Sequence, residues 1–284
     1  MEAIKENNIS GYPNVISFDC IKEIVNQMEK NICKIKIGED QGTGFFCEIP
    51  FPDKNHMIKV LITANHIIGE DLLYKDDAKI SIYIKEAKSI KELNLNNRIK
   101  YTKSKDEYDI TIIEIKEEDG INNYLELDDK IINDIINNDN ENLEYIDKTY
   151  YIIQYPEGEL SVSYGIISNI GIDNQYQFQH KCSTNRGSSG PPILTLKNKV
   201  LGLHTDGSKK SNLGTFLNYP IKDFINQHFN DRNDKCTGFF CKVPFPDKNN
   251  TLKVLITVNY LLNDKILYND EEKISILINE EKKD

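Results

Sequence analysis

Short apolar runs, rich in β-branched and aromatic residues, alternate with Gly, Pro, Asn and Asp through most of the chain. Each run has the length of a strand, and the residues between the runs favour turns. This pattern predicts an all-β sandwich or barrel. The runs, in chain order, are KNICKIKI, GTGFFCEI, IKVLITAN, KISIYIK, YDITIIEI, TYYIIQY, SVSYGIIS, PPILTL and KVLGLHT.

The N-terminal segment has a helical period instead. Residues 17–30, SFDCIKEIVNQMEK, predict one amphipathic helix that begins behind a Ser17 cap. We expect its apolar face to pack on the domain. That face contains Phe18, Ile21, Ile24, Val25 and Met28.

Two later segments also depart from the strand pattern. Residues 128–145 form a polar stretch that is compatible with a helix or with a loop and suits a connector between two halves. Residues 219–230, YPIKDFINQHFN, predict a short closing helix. Pro220 stands at its start, where the missing N–H of proline is tolerated.

The last part of the chain repeats an earlier part. Residues 236–282 align without a gap on residues 42–88, with more than half of the positions identical, which indicates a partial internal duplication. The copy has Tyr260 where the first segment has His66. A piece of about fifty residues with few strands is not expected to fold alone. We expect it to dock on the main domain, to exchange with a neighbouring chain, or to stay partly disordered.

The charge distribution argues against two classes of partner. The 284 residues include 35 Lys and Arg and 45 Asp and Glu, a formal net charge of −10, and the basic residues are dispersed. Nucleic acid and anionic membrane are therefore poor partners. The start of the chain is neither basic nor apolar, and no segment approaches the roughly 18 apolar residues of a membrane span. These features predict a cytoplasmic protein.

The six cysteines do not show a metal-binding spacing. Only Cys236 and Cys241 lie close together, and residues five apart on a strand face opposite sides. We expect reduced, mostly buried thiols. The sequence also lacks a phosphate loop and a nucleotide fingerprint, so it implies neither a metal nor a cofactor.

The segment RGSSGPPIL at 186–194 raises the possibility that Ser189 is a nucleophile. Clusters of Gly, Ser and Pro are turns far more often than active sites. A serine hydroxyl is a weak nucleophile, and it needs a general base that a carboxylate orients. His66 follows an apolar strand in LITANHII, and Asp109 begins another in YDITIIEI. The order His, Asp, Ser at strand edges favours a catalytic triad over three structural residues.

These motifs resemble those of trypsin-like serine proteases of the chymotrypsin fold. TANH resembles the family's T-A-x-H, YDITII resembles D-I-[AT]-hydrophobic, and GSSGPP resembles G-x-S-G-x-P. The segment GEDQGTGFFCEI is similar to the strand entry of the HtrA and glutamyl endopeptidase branches. The resemblance implies an all-β fold of two six-stranded antiparallel β-barrels, with short N- and C-terminal helices.

The resemblance also implies a domain organisation and an activity. Residues 1–30 form an N-terminal segment, residues 31–230 form the protease domain, and residues 231–284 form the partial duplication. The first barrel covers about 31–127 and the second about 146–218. The implied activity is hydrolysis of peptide bonds in protein or peptide substrates through an acyl-enzyme.

The family's functional residues carry over to matching positions. Ser189 takes the role of the nucleophile, His66 that of the general base, and Asp109 that of the carboxylate that fixes the imidazole tautomer. The backbone N–H groups of Gly187 and Ser189 take the role of the oxyanion hole.

A specificity pocket is implied by a second resemblance. VLGLHTDG at 200–207 is similar to V-[IL]-G-[IL]-H in glutamyl endopeptidases and viral chymotrypsin-like cysteine proteases, where this histidine contacts a Glu or Gln side chain before the scissile bond. His204 takes that position, and Ser183 and Thr184 stand where those relatives line the same pocket. These three side chains can bind a carboxylate or an amide. The alternative is that His204 is a buried structural residue.

The sequence departs from the digestive members of the family at three positions. Ser188 replaces the Asp that pairs with a newly cleaved N-terminus, so activation by that route is not expected. Ile67 follows His66, where secreted relatives have a disulfide-forming cysteine. Pro191 stands where Gly or Ser is usual and removes a backbone N–H near the nucleophile.

Two functional hypotheses follow. The first is an active serine endopeptidase, which the intact triad favours, and the second is a catalytically silent pseudoprotease that holds peptides in the cleft. The change to Tyr260 shows that the duplicated segment tolerates loss of the histidine. That segment is either a regulatory half-barrel that competes with residues 42–88 or a remnant of gene duplication. The sequence leaves the oligomeric state open.

Overall fold

The computed structural model divides the chain into two compact units. It describes residues 11–51, 56–137, 145–171, 174–207, 211–230, 239–244 and 251–256. The two compact units are residues 1–226 and residues 227–284. The first unit contains the two sheets that carry the candidate site, and the second contains one hairpin.

Strands form most of the first unit, and every apolar run of the sequence lies on one of them. The strands of both units are β1 (Ile32–Ile37), β2 (Asp40–Pro50), β3 (Met57–Thr63), β4 (Lys79–Ile84), β5 (Ser89–Asn94), β6 (Lys100–Lys103), β7 (Ile110–Glu114), β8 (Leu125–Glu126), β9 (Thr149–Gln154), β10 (Ser161–Ile170), β11 (Gln177–His180), β12 (Pro192–Thr195), β13 (Val200–Gly207), β14 (Asn212–Phe216), β15 (Phe239–Pro244) and β16 (Thr251–Ile256). The helices are α1 (Phe18–Lys30), α2 (Glu70–Leu73), α3 (Asp129–Asn137) and α4 (Asn218–Asn230), with 3-10 turns at Glu117–Asp119 and Pro156–Gly158.

The strands of the first unit form two sheets. The first sheet has the order β5-β4-β1-β2-β3-β7-β6, and the short β8 pairs in parallel with β2. The second is a closed six-stranded barrel of order β10-β11-β14-β13-β12-β9. The predicted all-β double-barrel class is confirmed, although the first sheet contains eight strands where six were expected.

The central strands of the first sheet are apolar on both faces. Phe45 and Phe46 on β2 are fully buried, as are Leu61 and Ile62 on β3. Phe46 and Leu61 belong to a core confined to the first half, whereas Phe45 and Ile62 belong to a core that continues into the barrel. Because both faces are covered, these strands appear in the sequence as continuous apolar runs. The continuous core joins the two halves on either side of the cleft.

Helix α1 begins where the sequence predicts, but its predicted apolar face is partly wrong. The Ser17 Oγ accepts a hydrogen bond from the Cys20 N–H at 3.3 Å, which confirms the cap. Phe18 is 70% exposed, and Ile21 and Val25 are exposed as well.

The buried face of α1 combines apolar and polar side chains. Ile24 is buried and Met28 is half-buried, as predicted, but the polar Gln27 is also buried. The Tyr151 hydroxyl donates to Gln27 Oε1 at 2.8 Å, and Gln27 Nε2 donates to the Asn198 carbonyl at 2.9 Å. The barrel offers polar partners at this position, so the helix turns Gln27 inward and leaves part of its apolar stripe exposed.

The two segments that depart from the strand pattern are helical. The stretch at 128–145 forms α3 over Asp129–Asn137, and residues 138–144 lie outside the described residues. The closing helix is confirmed as α4, which begins two residues before Pro220.

The hairpin of the second unit repeats the strand pairing of the duplicated segment. In β15–β16, Phe239 pairs with Ile256, just as Phe45 pairs with Ile62 in β2–β3. The duplication therefore extends from sequence identity to backbone register. The predicted docking, exchange or disorder of 231–284 concerns residues that lie largely outside the described part of the chain.

Four cysteines of the first unit are buried free thiols. They are Cys20, Cys33, Cys47 and Cys182, and burial raises the pKa of Cys182 to about 12. These thiols stay protonated and pack as small apolar groups. Within the described ranges, no cluster of His, Cys, Asp and Glu could hold a metal ion. No helix there has the length and apolar character that crossing a membrane requires.

Neighbouring substitutions on α1 test the corrected helix face. Ile24→Ala removes a side chain that is 2% exposed and leaves a cavity, so we expect the free energy of unfolding to fall by about 2–5 kcal/mol. Val25→Ala removes a 50% exposed side chain and should change it by less than about 0.5 kcal/mol. Denaturant titration of both variants measures the difference. Equal losses of unfolding free energy in the two variants would show that the outer face of α1 is also buried.

Candidate active site

A cleft of about 480 Å³ brings together most of the site residues predicted from the sequence. His66, Thr184, Gly187, Ser189 and His204 all line it. They come from widely separated parts of the chain, from the turn after β3, the segment before β12, and β13. The tertiary fold therefore brings a serine hydroxyl, imidazole rings and backbone donors into one cleft.

His66 and Asp109 form a close pair at the edge of the cleft. The His66 Nδ1 lies 2.8 Å from Asp109 Oδ2 and 3.1 Å from Asp109 Oδ1. The His66 backbone N–H also donates to Asp109 Oδ1 at 3.1 Å. The Asp109 side chain is 4% exposed and that of His66 is 37% exposed. The buried carboxylate thus holds both the ring and the backbone of His66 and leaves the outer edge of the ring accessible.

The pairing determines which ring nitrogen carries the proton. A carboxylate can only accept hydrogen bonds, so we assign the proton of neutral His66 to Nδ1. The Nε2 atom is then a free acceptor. Both His66 and Ser189 line the cleft, but within the described residues no hydrogen bond joins them. Such contacts are often long in substrate-free enzymes and shorten when substrate binds.

A chain of polar contacts supports the turn that carries His66. Asn65 Nδ2 donates to Thr102 Oγ1 at 2.7 Å, and the hydroxyls of Thr102 and Thr111 lie 2.6 Å apart. The Thr111 hydroxyl donates to the Ile68 carbonyl at 2.7 Å. These contacts attach the turn to β6 and β7, and β7 begins directly after Asp109. The two members of the pair are therefore held by the same pair of strands.

The backbone around Ser189 is fixed by its neighbours on both sides. The Ser189 carbonyl accepts a hydrogen bond from the Thr43 N–H at 2.9 Å, and the Gly190 N–H donates to the His204 carbonyl at 3.1 Å. Gly190 has φ +87°, and a Cβ at this position would lie 2.4 Å from the Thr43 carbonyl oxygen. Only glycine fits here, because any side chain would collide with the β2 backbone.

Thr43 on β2 connects three parts of the site. Its hydroxyl accepts a hydrogen bond from the Tyr155 N–H at 3.0 Å and donates to the Gly187 carbonyl at 3.3 Å. Its carbonyl accepts from the Thr63 hydroxyl at 2.8 Å, at the end of the strand that precedes His66. Thr43 is fully buried, so these bonds are shielded from water.

Two backbone N–H groups in the segment of Ser189 have no hydrogen-bond partner among the described residues. Gly187 has φ +88°, and neither its N–H nor that of Ser189 donates a hydrogen bond to any described residue. Both residues line the cleft. Free N–H donors that converge beside a nucleophile can stabilise an oxyanion.

His204 lines the cleft and is linked to a second buried histidine. Its Nδ1 lies 3.1 Å from the Leu213 carbonyl oxygen and 3.1 Å from His180 Nε2. Burial lowers the pKa of His204 to about 4, and burial together with the neighbouring His204 lowers the pKa of His180 to about 3. Both rings are therefore neutral at pH 7.

The structure separates the other two predicted pocket residues. Thr184 is half-buried and lines the cleft. Ser183 is exposed and is not among the lining residues. Its carbonyl accepts hydrogen bonds from Gln154 Nε2 at 2.9 Å and from the Ser163 hydroxyl at 2.7 Å. Ser183 thus contacts the adjacent strands through its backbone.

Ser188 and Pro191, which differ from the residues of the digestive proteases, both form hydrogen bonds within the site. Ser188 is 1% exposed, and its hydroxyl accepts a hydrogen bond from the Asn185 N–H at 3.0 Å. The Pro191 carbonyl accepts from the His204 N–H at 3.0 Å. Ser188 closes the loop locally, and Pro191 joins the loop to β13 without needing its own N–H.

An ion pair forms part of the lining of the cleft. Lys105 Nζ is 2.6 Å from Asp206 Oδ2, with side-chain exposures of 65% and 43%. The hydrogen bond to Asp206 raises the pKa of Lys105. Partial burial tends to raise the pKa of Asp206, but the contact with Lys105 outweighs it and the pKa is lowered. The two charges compensate each other and add no net charge to the cleft.

Several supporting residues were not singled out from the sequence. Thr43 lies within a motif that the sequence highlights, GTGFFC, but nothing in the sequence shows its contacts. Nothing in the local sequence marks Thr102 or His180, because the contacts of both depend on residues elsewhere in the chain. The motif TANH contains Asn65 but does not show its contact with Thr102. The one available hint for Asn65 is that the duplicated segment also has Asn before Tyr260.

Comparison with known proteins identifies the family. The family model described as trypsin-like peptidase domain matches residues 42–203, more than half of the chain. The chain belongs to the trypsin-like peptidase family. It is therefore a serine endopeptidase that acts on protein or peptide substrates.

Solved structures show the same fold at low sequence identity. Deg5 aligns with a TM-score of 0.52 and 16% identity, covering 72% of this chain and 91% of Deg5. A serine endoprotease from Yersinia pestis aligns with a TM-score of 0.50 and 15% identity, covering 76% of this chain and 69% of that one. No curated protein matches the sequence at a significant level.

Replacement of Thr43 tests its connecting role. Thr43→Val keeps the shape but leaves the buried Tyr155 N–H without its acceptor, which typically costs about 1–3 kcal/mol. We expect the free energy of unfolding to fall by this amount in denaturant titration, and kcat to fall with it because Gly187 loses a contact. Thr43→Ser keeps the hydroxyl and serves as the control. Wild-type stability and kcat in Thr43→Val would contradict the role.

Proposed function

We propose that this trypsin-like peptidase cleaves peptide bonds through His66, Asp109 and Ser189. The observation that carries the proposal is the contact of His66 Nδ1 with the buried Asp109 carboxylate, in a cleft that Ser189 also lines. The contact leaves His66 Nε2 free to accept the proton of the serine hydroxyl. This is the arrangement that general-base activation of a serine requires.

The proposed reaction proceeds in two halves. Ser189 Oγ attacks the substrate carbonyl carbon while its proton passes to His66 Nε2, and Asp109 stabilises the resulting imidazolium. When the C–N bond breaks, His66 gives the proton to the leaving amine and an acyl-enzyme remains. Water then attacks the ester carbonyl through the same base, and Ser189 regains its proton as the acid product leaves.

The free N–H groups of Gly187 and Ser189 provide the proposed oxyanion hole. They lie beside the nucleophile and have no partner among the described residues, so they remain available for the negatively charged oxygen of the tetrahedral intermediate. The left-handed backbone at Gly187 brings its N–H into this position. Removal of one such donor typically costs about 3–4 kcal/mol in the activation free energy.

We propose a recognition site for Gln, and more weakly for Glu, before the scissile bond. Because the Leu213 carbonyl can only accept, we assign the proton of neutral His204 to Nδ1, so that Nε2 is an acceptor. An amide can donate to this atom, whereas a carboxylate cannot. Thr184 supplies a hydroxyl in the same cleft, which can donate to the amide oxygen of Gln.

Substitutions in the triad test the proposed reaction. Ser189→Ala should abolish both peptide cleavage and covalent labelling by a fluorophosphonate probe. Asp109→Asn should lower kcat by about four orders of magnitude, because the amide favours the wrong imidazole tautomer. Asp106→Asn, an exposed aspartate on the same loop, is the matched control. A wild-type protein that neither cleaves a diverse peptide library nor reacts with the probe would support the pseudoprotease hypothesis.

Paired peptides that differ only in Gln or Glu before the cleaved bond test the pocket. At pH 7 we expect kcat/KM to be at least about tenfold higher for Gln, because neutral His204 offers an acceptor atom to which an amide can donate and a carboxylate cannot. The ratio should narrow as the pH falls toward about 4, where His204 and the Glu side chain bind protons. Because both peptides use the same triad, any effect of pH on the chemical step cancels in the ratio. His204→Leu should remove the preference, and a Glu preference at pH 7 would contradict the assigned tautomer.

A further inference from the structure

A turn outside the triad contacts the loop that carries the oxyanion donors. The Glu157 N–H in the turn Pro156–Gly158 donates to the Arg186 carbonyl at 2.7 Å. The Glu157 carboxylate accepts a hydrogen bond from Asn185 Nδ2, also at 2.7 Å. We call these two contacts the Glu157 bracket. Glu157 therefore binds two consecutive residues of the loop.

The bracket fixes the direction of one oxyanion donor. The Arg186 carbonyl and the Gly187 N–H belong to the same planar trans peptide group, so they point in opposite directions. Since Glu157 holds the carbonyl, the Gly187 N–H must face away from the turn. Rotation of this peptide group would exchange the positions of the Arg186 carbonyl and the Gly187 N–H. The carbonyl oxygen would then stand where the oxyanion needs a hydrogen-bond donor.

The other hydrogen bonds of the loop at residues 185–188 are mainly between its own residues. The Asn185 N–H donates to Ser188 Oγ, and the Ser188 N–H donates to the Asn185 carbonyl, both at 3.0 Å. Asn185 Oδ1 also accepts from the Arg186 N–H at 3.0 Å. These bonds make a compact loop but do not orient it relative to the cleft. That orientation comes from the Glu157 bracket on one side and from Thr43 on the other.

The backbone of Glu157 is itself unusual. It has φ +54°, in the left-handed region that non-glycine residues seldom occupy. This conformation occurs at the residue whose N–H holds the Arg186 carbonyl. The Glu157 side chain adds a second contact with the loop, because its carboxylate accepts a hydrogen bond from Asn185.

We propose that Glu157 is a positioning residue which, through Asn185 and the Arg186 carbonyl, holds the oxyanion loop in its working orientation. The inference rests on the proposed function, because it assumes that Gly187 donates to the oxyanion. Glu157 does not touch the reacting atoms. Its effect is on the stability of the transition state and not on the binding of substrate side chains.

Side-chain substitutions separate the bracket from the rest of the turn. Glu157→Ala removes the carboxylate and should lower kcat about three- to tenfold, as expected for loss of one supporting hydrogen bond, with KM nearly unchanged. Asn185→Ala should have a similar effect. The double variant should be no worse than either single variant, since both remove the same contact. Glu157→Gln keeps an acceptor oxygen for Asn185 and should retain near wild-type kcat.

The decisive measurement is the second-order rate of Ser189 labelling by a small fluorophosphonate. The phosphoryl oxygen of the adduct uses the oxyanion donors, but the probe carries no peptide side chain and is independent of the His204 pocket. The labelling rate should fall in parallel with kcat in Glu157→Ala and Asn185→Ala, at an unchanged melting temperature. Glu159→Ala, an exposed glutamate one residue beyond the turn, is the matched control and should label like wild type.

The outcomes distinguish this inference from the proposed function. Wild-type labelling and kcat in Glu157→Ala would overturn the positioning role while leaving the triad intact. A change in KM alone would overturn it as well, because it would assign Glu157 to substrate binding. Additive losses in the double variant would show that the two residues act separately, which also contradicts the bracket. An unlabelled wild-type protein would overturn the proposed function itself.

Discussion

The site depends on the buried side chain of Thr43, which connects segments that are far apart in sequence. Its hydroxyl joins the Tyr155 backbone to the Gly187 carbonyl, and its backbone joins Ser189 to the strand that precedes His66. In a dry interior each unpaired backbone group is costly, so these contacts favour one relative arrangement of the two halves. The position of Ser189 thus follows from the junction between the sheets.

The two sides of the cleft use different kinds of polar group to position their residues. Asp109 fixes His66 on the side of the first sheet, and polar contacts on β6 and β7 support that pair. On the barrel side, orientation depends on backbone carbonyls and N–H groups around Gly187 and His204. Under the proposed function, the first side handles proton transfer and the second positions the oxyanion donors.

The duplicated segment repeats structure without repeating the site. The β15–β16 hairpin has the register of β2–β3, yet the copy has Tyr260 in place of the imidazole and no second copy of the Asp109 or Ser189 motifs. A triad requires residues from both halves of the fold, so the repeat cannot form one by itself. The residues FFC, which both segments share, lie on the paired strands of each hairpin.

The sequence by itself determined the all-β class and the long strands, because local periodicity predicts them. It also determined the three triad candidates, because each lies in a short motif of adjacent residues. It did not reveal the short polar strands β5, β6, β8, β11 and β14, whose pairing depends on neighbours. The inward Gln27, the exposed Ser183 and the contacts of Thr43 and Glu157 were also decided by tertiary structure. In each case the partner is distant in sequence, and only folding brings the two groups within hydrogen-bonding distance.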